Sequence, residues 1–307
     1  ISLFTDLANA AIPSELKLDY AYYAPTSLVV KEQKLLEKAL PKTKIKWVFS
    51  QGSNRSLEYL NSGSTDFAST AGLAAVLSRA NGSPIKTVYI QSQPEWTALV
   101  VNKDSNIKSL KDLKGKKIAA TKGTDPFLFT LQALDTIGLG KRDVELVHLQ
   151  HPDGKTALER KQVDAWAGLD PLMASAQVQS GAKLLYRNVG FNSYSVLSIK
   201  ENFAQQSPEA VDAVIKVYEQ ARKWAKANPD KLAELLAREA KLPIEVAKLQ
   251  LSRTNLDQNI PTAKHIAALQ KAGSILTEED LVRKGTNVNQ VVTQLFDSKY
   301  AQKVVKK

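Results

Sequence analysis

Short apolar strand-like runs alternate with amphipathic helical runs along this chain, and the alternation starts twice. A strand that needs a helix before the next strand cannot close a hairpin, so this pattern dictates parallel pairing with crossover helices. In the first round, strands are expected at residues 16–20, 44–49, 65–68, 87–91 and 96–101. Helices are expected at 28–40, with Pro41 as the stop, at 54–61, and from the Ser69-Thr70-Ala71-Gly72 loop to Asn81-Gly82. The second round begins near Asp112. Strands are expected at 117–120, 144–149 and 163–168, with helices at 126–137, 153–161 and from Asp170-Pro171 to 179. Strands at 182–186 and 194–199 close it. After Ser207-Pro208-Glu209, a good helix start, the chain reads as helical almost to its end. Residues 1–15 read as an arm or short helix.

The expected fold class is therefore α/β with two lobes, the second inserted into the first. Residues 1–100 and 200–307 form lobe one, residues 101–199 form lobe two, and two extended crossings form the hinge. Length agrees, since 307 residues suffice for two cores. No apolar run approaches the ~20 residues that span a bilayer.

Composition removes several chemistries. With no cysteine there is no disulfide frame, thiol nucleophile or cysteine-ligated metal. The three histidines, His148, His151 and His265, form no metal-ligand spacing, so neither metal nor cofactor is expected. His148 falls in an expected strand and His265 in a helix, where structural or exposed roles are favoured. His151 falls in a loop after a strand; a pocket role stays open there but is the less favoured one. No nucleophile elbow, Walker loop or dinucleotide fingerprint is present, so an enzyme is not expected. The net charge is +11, but the lysines are spread and not interleaved with aromatics. That pattern fits solvated helix faces and general anion steering better than a nucleic-acid surface.

In open α/β sheets, ligands bind beyond the carboxyl ends of strands. Four loops at such positions share one chemistry: Tyr23-Ala24-Pro25-Thr26-Ser27, Gln51-Gly52-Ser53, Ser69-Thr70-Ala71-Gly72 and Lys122-Gly123-Thr124. Each is small or hydroxylated and precedes a helix, whose free N–H groups and dipole receive anions without arginine. The plain alternative for each loop is N-capping. Lys122 adds a full charge or is simply solvated. Trp96 and Trp166 either wall the pocket or belong to the core. Asp170 is either a helix cap or a ligand acceptor. Glu95 beside Trp96 could bind a cationic group, but a surface position near the hinge is the favoured reading.

These segments carry a family resemblance. Leu16-Lys17-Leu18-Asp19-Tyr20 runs into Tyr22-Tyr23-Ala24-Pro25-Thr26-Ser27-Leu28, and residues 57–63 and Asp66 lead to Ser69-Thr70. Asp112-Leu113-Lys114-Gly115-Lys116-Lys117-Ile118-Ala119 precedes Lys122-Gly123-Thr124, and Val163-Asp164-Ala165-Trp166 is followed by Asp170-Pro171. Over residues 15–300 the chain resembles the substrate-binding proteins of ABC importers for aliphatic sulfonates, within the nitrate/sulfonate/taurine group. The resemblance implies a type II periplasmic-binding-protein fold that closes on its ligand, and an export signal removed before Ile1. It also implies a periplasmic or extracytoplasmic location, a monomer, and a permease with its ATPase as partners, the membrane being met only through these or a lipid anchor. The implied ligand residues are Ser27, Gly52, Ser53, Ser69, Thr70, Gly123, Thr124, Trp166 and Asp170, with Tyr23, Trp96 and Lys122 as lesser candidates.

Overall fold

The structure is a computed structural model that describes residues 12–305; most of the expected N-terminal arm, residues 1–11, lies outside the described residues. Among the described residues, eleven strands divide between two sheets. The first has the order β11-β4-β10-β3-β1-β2. Its strands are β1 (Glu15–Tyr20), β2 (Lys44–Phe49), β3 (Phe67–Ala71), β4 (Ile85–Pro94), β10 (Ser195–Lys200) and β11 (Thr254–Asn255). The second has the order β7-β6-β8-β5-β9. Its strands are β5 (Leu99–Val101), β6 (Lys117–Ala119), β7 (Glu145–Val147), β8 (Ala165–Ala167) and β9 (Lys183–Tyr186).

One plan builds both sheets. Three strands pair in parallel around the first of the lobe, β1 between β2 and β3 and β6 between β7 and β8. A strand arriving from the other lobe then inserts antiparallel beside the third, β10 against β3 and β5 against β8. This is the two-lobe type II arrangement. The chain changes sheet through residues 95–98 and again through 187–194. The two crossings are tied where Thr97 N donates to Asn192 Oδ1 at 2.9 Å.

Several elements depart from the sequence expectation. The helix expected at 28–40 is two, α1 (Pro25–Glu32) and α2 (Leu35–Ala39), broken where Lys34 takes a left-handed φ of 54°. The strand expected at 96–101 shrinks to β5. The third strand extends to Ala71 because β10 pairs along it, Leu197 against Ser69 and Val196 against Thr70. Ser69 and Thr70 are therefore strand residues and not a loop. The remaining helices that position the cleft are α3 (Ser53–Ser62), α4 (Gly72–Ala80), α5 (Asp125–Asp135), α6 (His151–Glu159) and α7 (Leu172–Ser180). After α8 (Glu201–Gln206), α9 (Pro208–Ala227) and α10 (Pro229–Ala240) come α11 (Ile244–Ser252), α12 (Ala263–Glu278), α13 (Val288–Leu295) and α14 (Lys299–Val305).

Packing shows the two lobes closed on each other. One buried cluster is confined to lobe one, around Leu16, Phe67, Tyr89 and Tyr218, and another to lobe two, around Val100, Trp166 and Met173. The third runs through both, joining Leu269, Ile275 and Leu276 of α12 to Phe127, Leu128 and Phe129 of α5. Each such buried side chain contributes about 1.5–3 kcal/mol relative to exposure, so lobe contact is itself apolar and favourable.

Candidate binding cleft

The loops beyond β2, β6 and β7 meet across the gap between the lobes. Gly52, the N-cap of α3, faces His151, the first residue of α6: a Cβ added to Gly52 would lie 2.6 Å from His151 Nε2. Beside it, a Cβ on Gly123 would lie 3.6 Å from the Asn54 side chain. Gly123 has φ +76°, a left-handed turn that glycine adopts without a steric cost, and it carries the chain from β6 to the N-cap of α5, Thr124. The starts of α3, α5 and α6 have no side-chain cap among the described residues. Three helix starts therefore border one contact, although Pro126 and Pro152 leave α5 and α6 one first-turn N–H short and Asp125 and Asp153 set carboxylates in those turns. Two buried acceptor atoms at this contact, Asn54 Oδ1 and His151 Nε2, have no partner among the described residues.

The other expected hydroxyls are engaged elsewhere. Ser27 Oγ donates to Ala24 O at 2.6 Å and accepts from Ala21 N at 3.1 Å, stitching the turn from β1 into α1. Ser53 Oγ accepts from Ala71 N at 2.9 Å, docking α3 on β3. Ser69 Oγ accepts from Gln91 Nε2 at 2.8 Å, and Thr70 Oγ1 donates to Ala71 O at 3.1 Å. Thr124 Oγ1 donates to Thr121 O at 2.6 Å, which shapes the turn but leaves the helix start uncapped. Tyr23 is buried, its hydroxyl donating to Ser69 O at 2.8 Å. The start of α4 is closed to ligands, since Gly72 N donates to Tyr194 O and Leu73 N to Ser193 Oγ.

Trp166 is a core residue of lobe two, 1% exposed, with Gly154 of α6 against its ring. Trp96 sits on the first crossing, its ring edge against Tyr23, and its Nε1 donates to Asp125 Oδ2 at 2.8 Å. Asp125 also accepts from Ser193 N and Oγ at 2.8 and 2.7 Å, so one carboxylate at the start of α5 ties both crossings. Lys122 is exposed, its N–H donating to His148 Nδ1 at 3.0 Å. It lines a cavity of ≈ 450 Å³ at the cleft mouth, between Leu77 and Leu281 of lobe one and Gly123 and Phe127 of lobe two.

Two of the acidic residues, Asp170 and Glu95, are paired with arginines. Asp170 precedes a cis peptide bond to Pro171. Its carboxylate is buried and held bidentate by Arg253, with two contacts of 2.7 Å, while Ala174 N also donates to Oδ1 at 3.0 Å. Glu95, expected at the surface, is instead 8% exposed, because it lies on the crossing under Arg187, which holds it at 2.8 and 2.7 Å. Below the cleft floor Asp19 accepts from Ser50, Ser56 and Ser69 N; burial outweighs those bonds and raises its carboxyl to about 6. Burial also pushes Asp125 and Asp170 above the ordinary carboxylate range and holds the His151 imidazole at about 3, hence neutral.

Sequence reasoning did not single out Arg253, Asp125 or Asn54, and it set His151 aside. His151-Pro152 at a helix start, directly after a strand, occupies the same topological position as the four loops that were chosen.

The NMT1/THI5-like family's profile matches residues 44–232. The chain belongs to this family. An aliphatic sulfonates-binding protein of Escherichia coli (strain K12) is 28% identical over 297 residues, covering 96% of this chain and 93% of that one. The alkanesulfonate-binding protein SsuA of Xanthomonas axonopodis pv. citri, solved bound to MOPS, superposes with a TM-score of 0.84 at 26% identity. That match covers 92% of this chain and 99% of the other. The desulfurization enzyme DSZB shares the fold at 17% identity and a TM-score of 0.68, over 96% and 99% of the two chains. No helix among the described residues is long and apolar enough to cross a membrane, and no cluster there could hold a metal ion.

Proposed function

We propose that this protein is the extracytoplasmic solute-binding component of an ABC importer and captures an aliphatic sulfonate or related small oxyanion between its lobes. The observation that carries the reading is the meeting of three uncapped helix starts at one buried inter-lobe contact, Gly52–Asn54 with Gly123–Thr124 and His151. N–H groups fixed in a dry cleft hold an anion far better than in water and need no reorganisation when it arrives. The anionic head sits against these N–H groups. An organic tail points along Gly123 into the cavity beside Phe127, which Leu77, Leu146 and Leu281 line together with Asn81, Lys122 and Lys141. Closure on the ligand shifts the open–closed balance, and the closed form is what a permease with its ATPase reads. The protein acts as a monomer outside the cytoplasm.

A cationic ligand is disfavoured, because Glu95 and Asp170 are both occupied by guanidinium groups. The expected cleft serines Ser27, Ser53 and Ser69 engage backbone groups and the Gln91 amide rather than a general base, so they are not set up as nucleophiles. The reading is tested by calorimetry with alkanesulfonates, taurine, nitrate, sulfate and hydrogencarbonate. Saturable binding of at least one sulfonate is expected. Absence of binding across the panel sinks the proposal.

A further inference from the structure

The tautomer of His151 follows from its neighbour. Thr121 Oγ1 has one hydrogen, and it is spent on Leu149 O at 2.6 Å. Toward His151 Nδ1, 3.2 Å away, Thr121 therefore offers only a lone pair, so Nδ1 carries the ring proton and donates it. Nε2 is left bare. It is an acceptor on a side chain 1% exposed, without a partner among the described residues, and it points at Gly52 in the middle of the cleft contact. Asn54 Oδ1, a second buried acceptor without a partner, lies 3.1 Å from the same Gly52 Cβ position. A site that received only a bare oxyanion would have donors here. Leaving a buried acceptor unmet disfavours the complex, whereas a donor on the ligand would satisfy it. The donor is neutral, because three helix starts place partial positive charge around it and oppose an ammonium.

From this geometry we infer that the preferred ligand is an anion carrying its own uncharged O–H donor, accepted by His151 Nε2, so that His151 is a specificity-determining residue. The inference rests on the anion-capture reading above. The donor belongs either to a hydroxyl on the organic tail, as in a hydroxyalkanesulfonate, or to the oxyanion itself, as in hydrogencarbonate.

Titration calorimetry on the full chain compares 2-hydroxyethanesulfonate with ethanesulfonate, hydrogencarbonate with nitrate, and taurine. The donor-bearing member of at least one pair should bind about tenfold tighter or more, since a site built to meet a hydroxyl rejects the analogue lacking it. A preference in the sulfonate pair alone places the donor on the tail; a preference in the second pair alone places it on the head. In His151→Leu the preference should collapse to within about twofold, and His151→Gln, which keeps an acceptor, should restore part of it. Should neither variant fold, long-range proton–nitrogen spectra of the unaltered protein carry the test, with only three imidazoles to assign. They should show His151 protonated at Nδ1 and its Nε2 resonance moving when the preferred ligand is added. Equal affinities within both pairs, an Nε2-protonated His151, or taurine binding tighter than 2-hydroxyethanesulfonate would overturn the inference. Binding of ethanesulfonate and its hydroxylated analogue with one affinity leaves anion capture standing; only the absence of all binding removes both.

Discussion

Arg253→Met should separate two roles for Asp170, ligand group and strut between lobes. Arg253 stands between α11 and β11 of lobe one, and Asp170 follows β8 of lobe two. Their side chains are 9% and 1% exposed and share two contacts of 2.7 Å. At an effective dielectric near 20, charges about 4 Å apart attract by about 4 kcal/mol, and removing one partner of a buried pair costs about 3–5 kcal/mol because the other is stranded. Denaturant unfolding at pH 7.5, followed through the four tryptophans, should show a loss of that size in Arg253→Met. In Asp170→Asn the guanidinium is stranded instead, with a similar loss. The double variant should lose less than the two singles combined, since neither charge then lacks its partner. The pH dependence supplies a sign. Asp170 is already raised by burial, and without Arg253 it rises further. A raised carboxyl stabilises below its unfolded value and loses that contribution as pH climbs through the folded value. Arg253→Met should therefore recover part of its deficit relative to the parent chain as pH falls from 7.5 to 5.5. A loss under about 1 kcal/mol, or strict additivity of the pair, would refute the strut and return Asp170 to the list of ligand groups.

Acid should destabilise the unaltered protein. Burial holds His151 at about 3, and burial with Lys264 nearby holds His265 at about 4, so below the ordinary 6.5 the unfolded chain takes up protons that the folded chain refuses. Each contributes a loss of about 2 kcal/mol by pH 5, and the carboxyls raised by burial, Asp19 at about 6 together with Asp125 and Asp170, return part of it as they protonate. A thermal midpoint that fails to drop between pH 7.5 and 5 would contradict this. Gly52→Ala meets His151 only across the closed cleft, and Gly52 has an extended backbone that alanine also adopts. Calorimetry should show anion affinity weakened about tenfold or more; undiminished affinity would refute the cleft contact. Trp96→Phe removes one donor from the buried Asp125, leaving those of Ser193, and should cost about 1.5–3 kcal/mol in urea unfolding. A cost under about 0.5 kcal/mol would mean that the crossings are not tied there.

What could be read in advance depended on how far apart the deciding residues are in the chain. The alternation of strands and helices is local, and it revealed two α/β lobes because a run of six or ten residues carries its own period. Gln51-Gly52-Ser53 and Lys122-Gly123-Thr124 stood out for the same reason: small residues before a helix leave its N–H groups open. Ser69 and Thr70 look identical by that criterion, yet β10, more than a hundred residues later, pairs with them and makes them strand. Asp170 looked like a cap or an acceptor until Arg253, distant in sequence, filled both its oxygens. His151 marks the limit most sharply. Its position after a strand was visible, but its chemistry depends on a threonine thirty residues earlier whose only proton is committed to Leu149 O. Reverse that one hydrogen bond and Nε2 becomes a donor suited to a bare oxyanion. The preference between a bare and a hydroxylated anion thus turns on a hydroxyl that lies behind the imidazole and not on the cleft face itself.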